Sequence, residues 1–174
     1  MTTRPPPEAS QPDPTAATPT DLSTIRDLLV LTDRLATAGQ PTEAQLGAVA
    51  ARGWEVVINL ALATSPGALP DEGAVVARHG MEYVHIPIDF VTPDVPSALR
   101  FFDVMRARRD RRLFVHCAAN KRVSALVFAY RILSGDPGPA EAARDLWRRW
   151  EPDETWRRYI DDSVAAARAA SGAE

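Results

Sequence analysis

At 174 residues the chain has the length of one domain, and its formal net charge is -3. That charge gives no general reason to expect a nucleic acid or an anionic membrane as partner, and no apolar run approaches the ~20 residues that span a bilayer. A single cysteine excludes an internal disulfide, and the three histidines, His79, His85 and His116, show no metal-ligand spacing with it.

The chain opens on "MTTRPPPEASQPDPTAATPT", rich in Pro, Thr and Ala and poor in large apolar side chains. Such a stretch cannot bury enough surface to offset its ordering entropy, so residues 1–22 are expected to form a disordered tail and residues 23–174 one domain. The tail lacks the apolar core of a signal peptide and the arginine density of a transit peptide, which makes a cytoplasmic protein the expectation.

Thr42 and Gln45 fit a capping box at the start of a helix that Gly53 ends. "WEVVINLAL" is a β-branched run suited to a strand buried on both faces. The loop "TSPGALP" leads to a short helix, "DEGAVVARHG", and then to a strand, "MEYVHIPI", which Pro87 helps to terminate. Asp94 can cap the next helix, where Val95, Leu99, Phe102 and Met105 share one face. The run "RARRDRR" reads as a solvated helix end and turn. "RLFVHC" is another buried strand, and "RVSALVFAYRIL" is a mostly apolar helix ending at Gly135. Two further helices, around "PAEAARDLWRRW" and "ETWRRYIDDSVAAARAA", flank Pro152, with Trp147, Trp150 and Trp156 as packing residues. Strands alternating with helices predict an α/β fold, three layers deep, around a mainly parallel sheet. Ligands of such sheets sit outside the carboxyl ends of the strands, and Cys117 lies at one of those ends.

The segment that follows Cys117 is "AANKRVS". If Arg122 or a neighbour opens the helix, the loop N–H groups and the helix dipole converge on a space that suits an anion. The same field favours a thiolate over a thiol. Arg122 offers a planar fork for two oxygens of a phosphate, Lys121 a further positive charge, and Asn120 tolerates the left-handed conformation that a tight cradle needs. Thiolate, cradle and fork together describe nucleophilic attack on a phosphoryl or sulfur centre.

"VHCAANKRVSA" resembles the signature loop of cysteine-based protein tyrosine and dual-specificity phosphatases, His-Cys-x5-Arg-Ser/Thr. The order of "RLATAGQPTEAQLGAVAARGWEVVINL", "GMEYVHIPI" and "FVHC" resembles small bacterial domains of that kind over roughly residues 30 to 134. The resemblance implies a dual-specificity-phosphatase-like fold and hydrolysis of a phosphorylated protein or small phosphoester, with no cofactor and no metal. It assigns the nucleophile to Cys117, the preceding histidine to His116 and the hydroxyl that helps the thiolate leave to Ser124. The phosphate cradle falls on Ala118, Ala119, Asn120, Lys121 and Arg122. Four residues rather than five separate Cys117 from Arg122, so that alignment on Ser124 puts Val123 at the family's arginine position.

That spacing also occurs in rhodanese-type sulfurtransferases, which leaves sulfur transfer through a Cys117 persulfide as an alternative beside a phosphate-binding module without turnover. Against the former, no Asp-Val-Arg strand or Gly-His-Ile segment of the rhodanese kind lies upstream. The family's general acid is an aspartate after the preceding strand, and Asp89 and Asp94 both follow "VHIPI". Asp94 has an evident duty as a helix cap, whereas Asp89 shows none in the sequence, so Asp89 is the expected acid.

Overall fold

A computed structural model describes residues 21–172. The remainder of the expected tail, residues 1–20, lies outside the described residues; Leu22 is already buried in a short 3-10 turn, Leu22–Thr24. Five strands follow: β1 (Leu29–Val30), β2 (Leu35–Ala38), β3 (Val56–Asn59), β4 (Glu82–His85) and β5 (Leu113–His116). They form one sheet in the order β1-β2-β5-β3-β4, in which only β1 runs antiparallel to its neighbour. The helices are α1 (Glu43–Ala51), α2 (Glu72–Arg78), α3 (Val95–Ala107), α4 (Lys121–Ser134), α5 (Pro139–Trp147) and α6 (Glu154–Ser171).

Local chemistry explains most of the boundaries. Thr42 Oγ1 accepts from Gln45 N–H at 3.3 Å while Gln45 Oε1 accepts from Thr42 N–H at 2.9 Å, so both halves of the capping box form. Asp94 caps α3 and Asp153 caps α6 through carboxylate oxygens that accept from Ser97 and Trp156 N–H. Gly135 ends α4 with φ 73, a conformation that costs other residues a steric clash.

Because successive strand residues face opposite ways, the sheet feeds two cores. Val56, Ile58, Leu113 and Val115 pack beneath Ala98, Phe101, Phe102 and Met105 of α3 and the apolar faces of α4 and α6. Val57 and Phe114 pack with Leu46 and Val49 of α1 and with Val75 and Val76 of α2. This is the expected three-layer α/β/α arrangement, and β5 lies at its centre with a parallel neighbour on each side. The same alternation turns His116 toward the layer of α1 and α2, while Cys117 joins the core of α3, α4 and α6.

Two sequence expectations need correction. Trp147 is not a packing residue: it is 66% exposed on α5, whereas Trp156 is fully buried. The arginine run is not merely solvated. Arg108 and Arg111 both reach the Glu82 carboxylate on β4, and Arg112 stacks 4.6 Å above the Trp54 ring while donating to Arg52 O and Asp33 O. The run therefore clasps the end of α3 to the amino ends of three strands. Among the described residues, no helix is long and apolar enough to cross a membrane.

Burial and capping fix the stability ranking expected in urea unfolding. Trp156→Ala should cost about 3–5 kcal/mol, since it empties a fully buried aromatic site. Thr42→Ala should cost about 1 kcal/mol, the usual scale of a lost cap.

Candidate active site

β5 delivers Cys117 to the carboxyl edge of the sheet, where its N–H donates to Ala38 O at 3.2 Å and the residue is 1% exposed. The chain then leaves the strand and enters α4 at Lys121, so residues 118–120 form the connecting loop. The end of β2 shapes that loop. Gln40 N–H donates to Ala118 O at 3.3 Å, and Gly39 bridges Ala119. A Cβ on Gly39 would lie 3.0 Å from Ala118 O and 3.1 Å from Arg26 O, two backbone atoms that cannot swing aside, which explains a glycine there.

Asn120 adopts φ 57, the left-handed conformation expected for it. Its buried amide donates to Asp27 O at 2.8 Å and to Thr37 Oγ1 at 3.0 Å. Asp27 also has a positive φ, of 52, and accepts from Arg149 Nη1 at 3.0 Å. The segment before β1 and the arginine after α5 thus pin the loop from behind. With its carbonyl side occupied in this way, the loop keeps its donors free. Among the described residues, no backbone N–H from Ala118 to Arg122 makes a well-formed hydrogen bond to a backbone acceptor, and the Gly39–Ala119 bridge engages the loop only loosely on this side. The first N–H groups of a helix have no intrahelical partner, so those of Lys121 and Arg122 add to the set.

Arg122 is the second residue of α4 and only 8% exposed. Its Nη2 donates weakly to Ser65 Oγ at 3.5 Å, its guanidinium carbon lies 5.8 Å from the centroid of the Phe90 ring, and its buried Nε and Nη1 have no partner among the described residues. A buried, charged fork with two open donors, at the end of a row of unpaired N–H groups, is built for an oxyanion. Lys121 stays exposed, with Nζ 5.3 Å from the Trp150 ring.

The family model described as "DSP-PTPase phosphatase fused to NAD+ Kinase" matches residues 29–151. The chain belongs to this phosphatase family. A DUF442 protein of Shewanella putrefaciens is 33% identical, with 84% of this chain and 96% of that one covered and a TM-score of 0.75. Two further structures share the fold at lower identity: the active form of Tk-PTP (22%, TM-score 0.66, covering 79% and 96%) and PTPMT1 in complex with PI(5)P (13%, TM-score 0.70, covering 83% and 98%). No curated protein matches the sequence.

Within this phosphatase frame, the two aspartates differ less than their sequence positions imply. Asp94 caps α3, as expected, through Ser97 N–H and Oγ. Asp89 is not free of structural duty: its Oδ1 accepts from Val91 N–H at 2.7 Å and Thr92 N–H at 2.8 Å. These two backbone donors, with the nearby charge of Arg122, hold its carboxyl below the usual carboxylate range. The Arg122 guanidinium carbon lies 5.8 Å from the ring centroid of Phe90, the residue next to Asp89, so the Asp89 loop borders the fork. Trp156 Nε1 donates to Phe90 O at 2.9 Å and so fastens the Asp89 loop to α6. Ser124 Oγ donates to Lys121 O at 3.0 Å and accepts from Trp150 Nε1 at 3.2 Å, so its hydroxyl already has two partners.

Sequence reasoning missed Glu72, Asn59 and Gln40. Glu72, the first residue of α2, is 4% exposed, and one of its carboxylate oxygens lies 2.7 Å from His116 Nε2. Its acidic neighbour Asp71 and its place at a helix start made it look like an ordinary first-turn acid. The only available signal was its pairing with a histidine that itself sits next to the cysteine, and that pairing is visible only once the fold is known.

Gly39→Ala should weaken tungstate binding by about tenfold, because the added methyl pushes on the Ala118 carbonyl that sets the loop's donors. Isothermal titration calorimetry measures the loss, and circular dichroism should show the fold retained.

Proposed function

We propose that the protein hydrolyses phosphate monoesters, on a phosphorylated protein or a small phosphoester, through a phosphocysteine intermediate. The observation that carries this reading is the buried Arg122 fork, whose Nε and Nη1 lack partners among the described residues, beside loop N–H groups with no well-formed backbone bond. In the first step Cys117 Sγ attacks phosphorus as the bond to the leaving oxygen breaks, and Asp89 gives that oxygen its proton. In the second step water attacks phosphorus, Asp89 takes a proton from it, and the sulfur leaves as thiolate with release of inorganic phosphate. Throughout, Arg122 and the N–H groups of Ala118 to Arg122 hold the equatorial oxygens, so preorganised donors supply the main stabilisation. Lys121 stands at the rim as a further cation for the substrate. Ser124 would exchange its bond to Lys121 O for one to the departing sulfur. Such a thiol suits a reducing cytoplasm, the location we assign.

Membership of a phosphatase family and a PTPMT1 structure bound to PI(5)P favour phosphate esters over persulfide chemistry. A rhodanese-like activity would appear as thiosulfate turnover when both assays are run side by side.

Cys117→Ser should abolish hydrolysis with the fold intact, since a serine hydroxyl is essentially un-ionised near neutral pH. Hydrolysis at the wild-type rate in that variant would end the mechanism. Arg122→Lys should be nearly as damaging to kcat/KM as Arg122→Ala, because a point charge cannot reproduce two parallel N–H bonds. Recovery of most activity by lysine would remove Arg122 from the clamp.

The depressed Asp89 carboxyl sets the pH dependence. An acid held below its usual range is mostly ionised at neutral pH, so its protonated fraction grows as pH falls. Turnover of alkyl phosphates, which need the proton, should therefore rise toward acidic pH more steeply than turnover of nitrophenyl phosphate. Asp89→Asn should flatten that difference and slow alkyl phosphates by about 10²–10⁴-fold. Asp94→Asn should chiefly lower stability, and the reverse pattern would move the acid to Asp94.

A further inference from the structure

Behind the loop, on the face of α1 and α2, five polar side chains meet in an otherwise apolar layer. His116 Nε2 lies 2.7 Å from Glu72 Oε1, and Asn59 Nδ2 donates to the same oxygen at 3.2 Å. Gln40 Nε2 donates to Glu72 Oε2 at 2.7 Å. Asn59 Nδ2 also reaches the Tyr83 hydroxyl at 3.1 Å, and Asn59 Oδ1 accepts from Ala61 N–H at 2.7 Å. Glu72 is 4% and His116 0% exposed.

A buried carboxylate held by polar side chains is a poor device for stability, because apolar replacements of similar volume are often as good or better. Its connections point elsewhere. His116 immediately precedes Cys117, and Gln40 uses its backbone N–H to hold Ala118 O, immediately after Cys117. One carboxylate therefore reaches both flanks of the cysteine, through an imidazole on one side and an amide on the other.

We propose that Glu72 is a positioning residue of the reaction, fixing the backbone before and after Cys117 through His116 and Gln40; this rests on the phosphatase reading above. The carboxylate accepts from His116 Nε2, which fixes the proton on that ring nitrogen and leaves Nδ1 without a partner among the described residues. Burial pushes the Glu72 carboxyl up, but the hydrogen bonds from His116 and Gln40 act against it and hold the group below its usual range, as an ionised acceptor. Rigid anchoring matters because a displacement of about 1 Å at a reacting centre costs on the order of 10²-fold.

The test compares Glu72→Leu with Glu72→Gln. Leucine removes both arms. Glutamine keeps them, since its Oε1 accepts from His116 and, once the Gln40 amide turns over, its Nε2 donates to Gln40 Oε1, an atom with no partner among the described residues of the native chain. The expected result is a kcat about 10–100-fold lower for Glu72→Leu at nearly unchanged KM, and within about fivefold of wild type for Glu72→Gln. Imidazole nitrogen spectra of His116 should show a proton fixed on Nε2 in the wild type and in Glu72→Gln, and tautomer exchange in Glu72→Leu. If Glu72→Leu does not fold, Gln40→Leu takes its place, cutting one arm and lowering kcat by about three- to tenfold. The proposal is overturned if the leucine variant folds and keeps the wild-type tautomer, if its kcat loss only matches its unfolded fraction, or if glutamine is as damaging as leucine. A wild type without phosphoester turnover would end the proposed function alone, and the imidazole spectra would still decide the role of Glu72.

Discussion

Arg122 is a buried cation with two donors that nothing among the described residues satisfies. A buried donor left unpaired costs on the order of 1–3 kcal/mol, and a charged one costs more, so such groups persist only where another use compensates. Here the open donors of the guanidinium continue a row of open backbone N–H groups at the start of α4. The arrangement is costly without an anion and favourable with one. Catalysis by preorganised donors has this same energetic form, because the cost is met in folding rather than at the moment of reaction.

The contacts around the loop leave those donors open. Gly39 and Gln40 occupy its carbonyl side, Asn120 is tied to Asp27 and Thr37, and Arg149 secures Asp27 from the far end of α5. The two faces of the sheet divide the work. The layer of α1 and α2 holds the polar anchor of Glu72 and His116, while the layer of α3, α4 and α6 presents the aromatic residues that carry the Asp89 loop. Cys117 stands where the central strand ends between them, so a single residue step from the end of β5 passes from the polar network of His116 to the proposed nucleophile.

Much of this was legible in the sequence because it is encoded locally. The capping box at Thr42, the cap at Asp94, the buried runs of β3 and β5 and the left-handed Asn120 each depend on side chains within a few residues. β1 and β2 were not legible. "LV" and "LATA" carry little strand propensity of their own and become strands by pairing with each other and, for β2, with β5, a contact distant in sequence. Glu72 was hidden for the same reason, since its partners come from the end of β2, from β3 and from β5. The structural duty of Asp89 was hidden in the opposite sense: its bonds to Val91 and Thr92 are local, yet a turn-forming aspartate looks the same in sequence as a free one.

The central claim is that an oxyanion binds to the N–H groups of Ala118 to Arg122 and to the Arg122 fork. Amide nitrogen spectra recorded during a tungstate titration test it directly. The account predicts saturable shifts concentrated at residues 118–122, with the Arg122 Nε–H signal moving in parallel. Shifts centred instead on the cavity lined by Arg106, Arg109 and Arg168, with the loop amides unmoved, would contradict it.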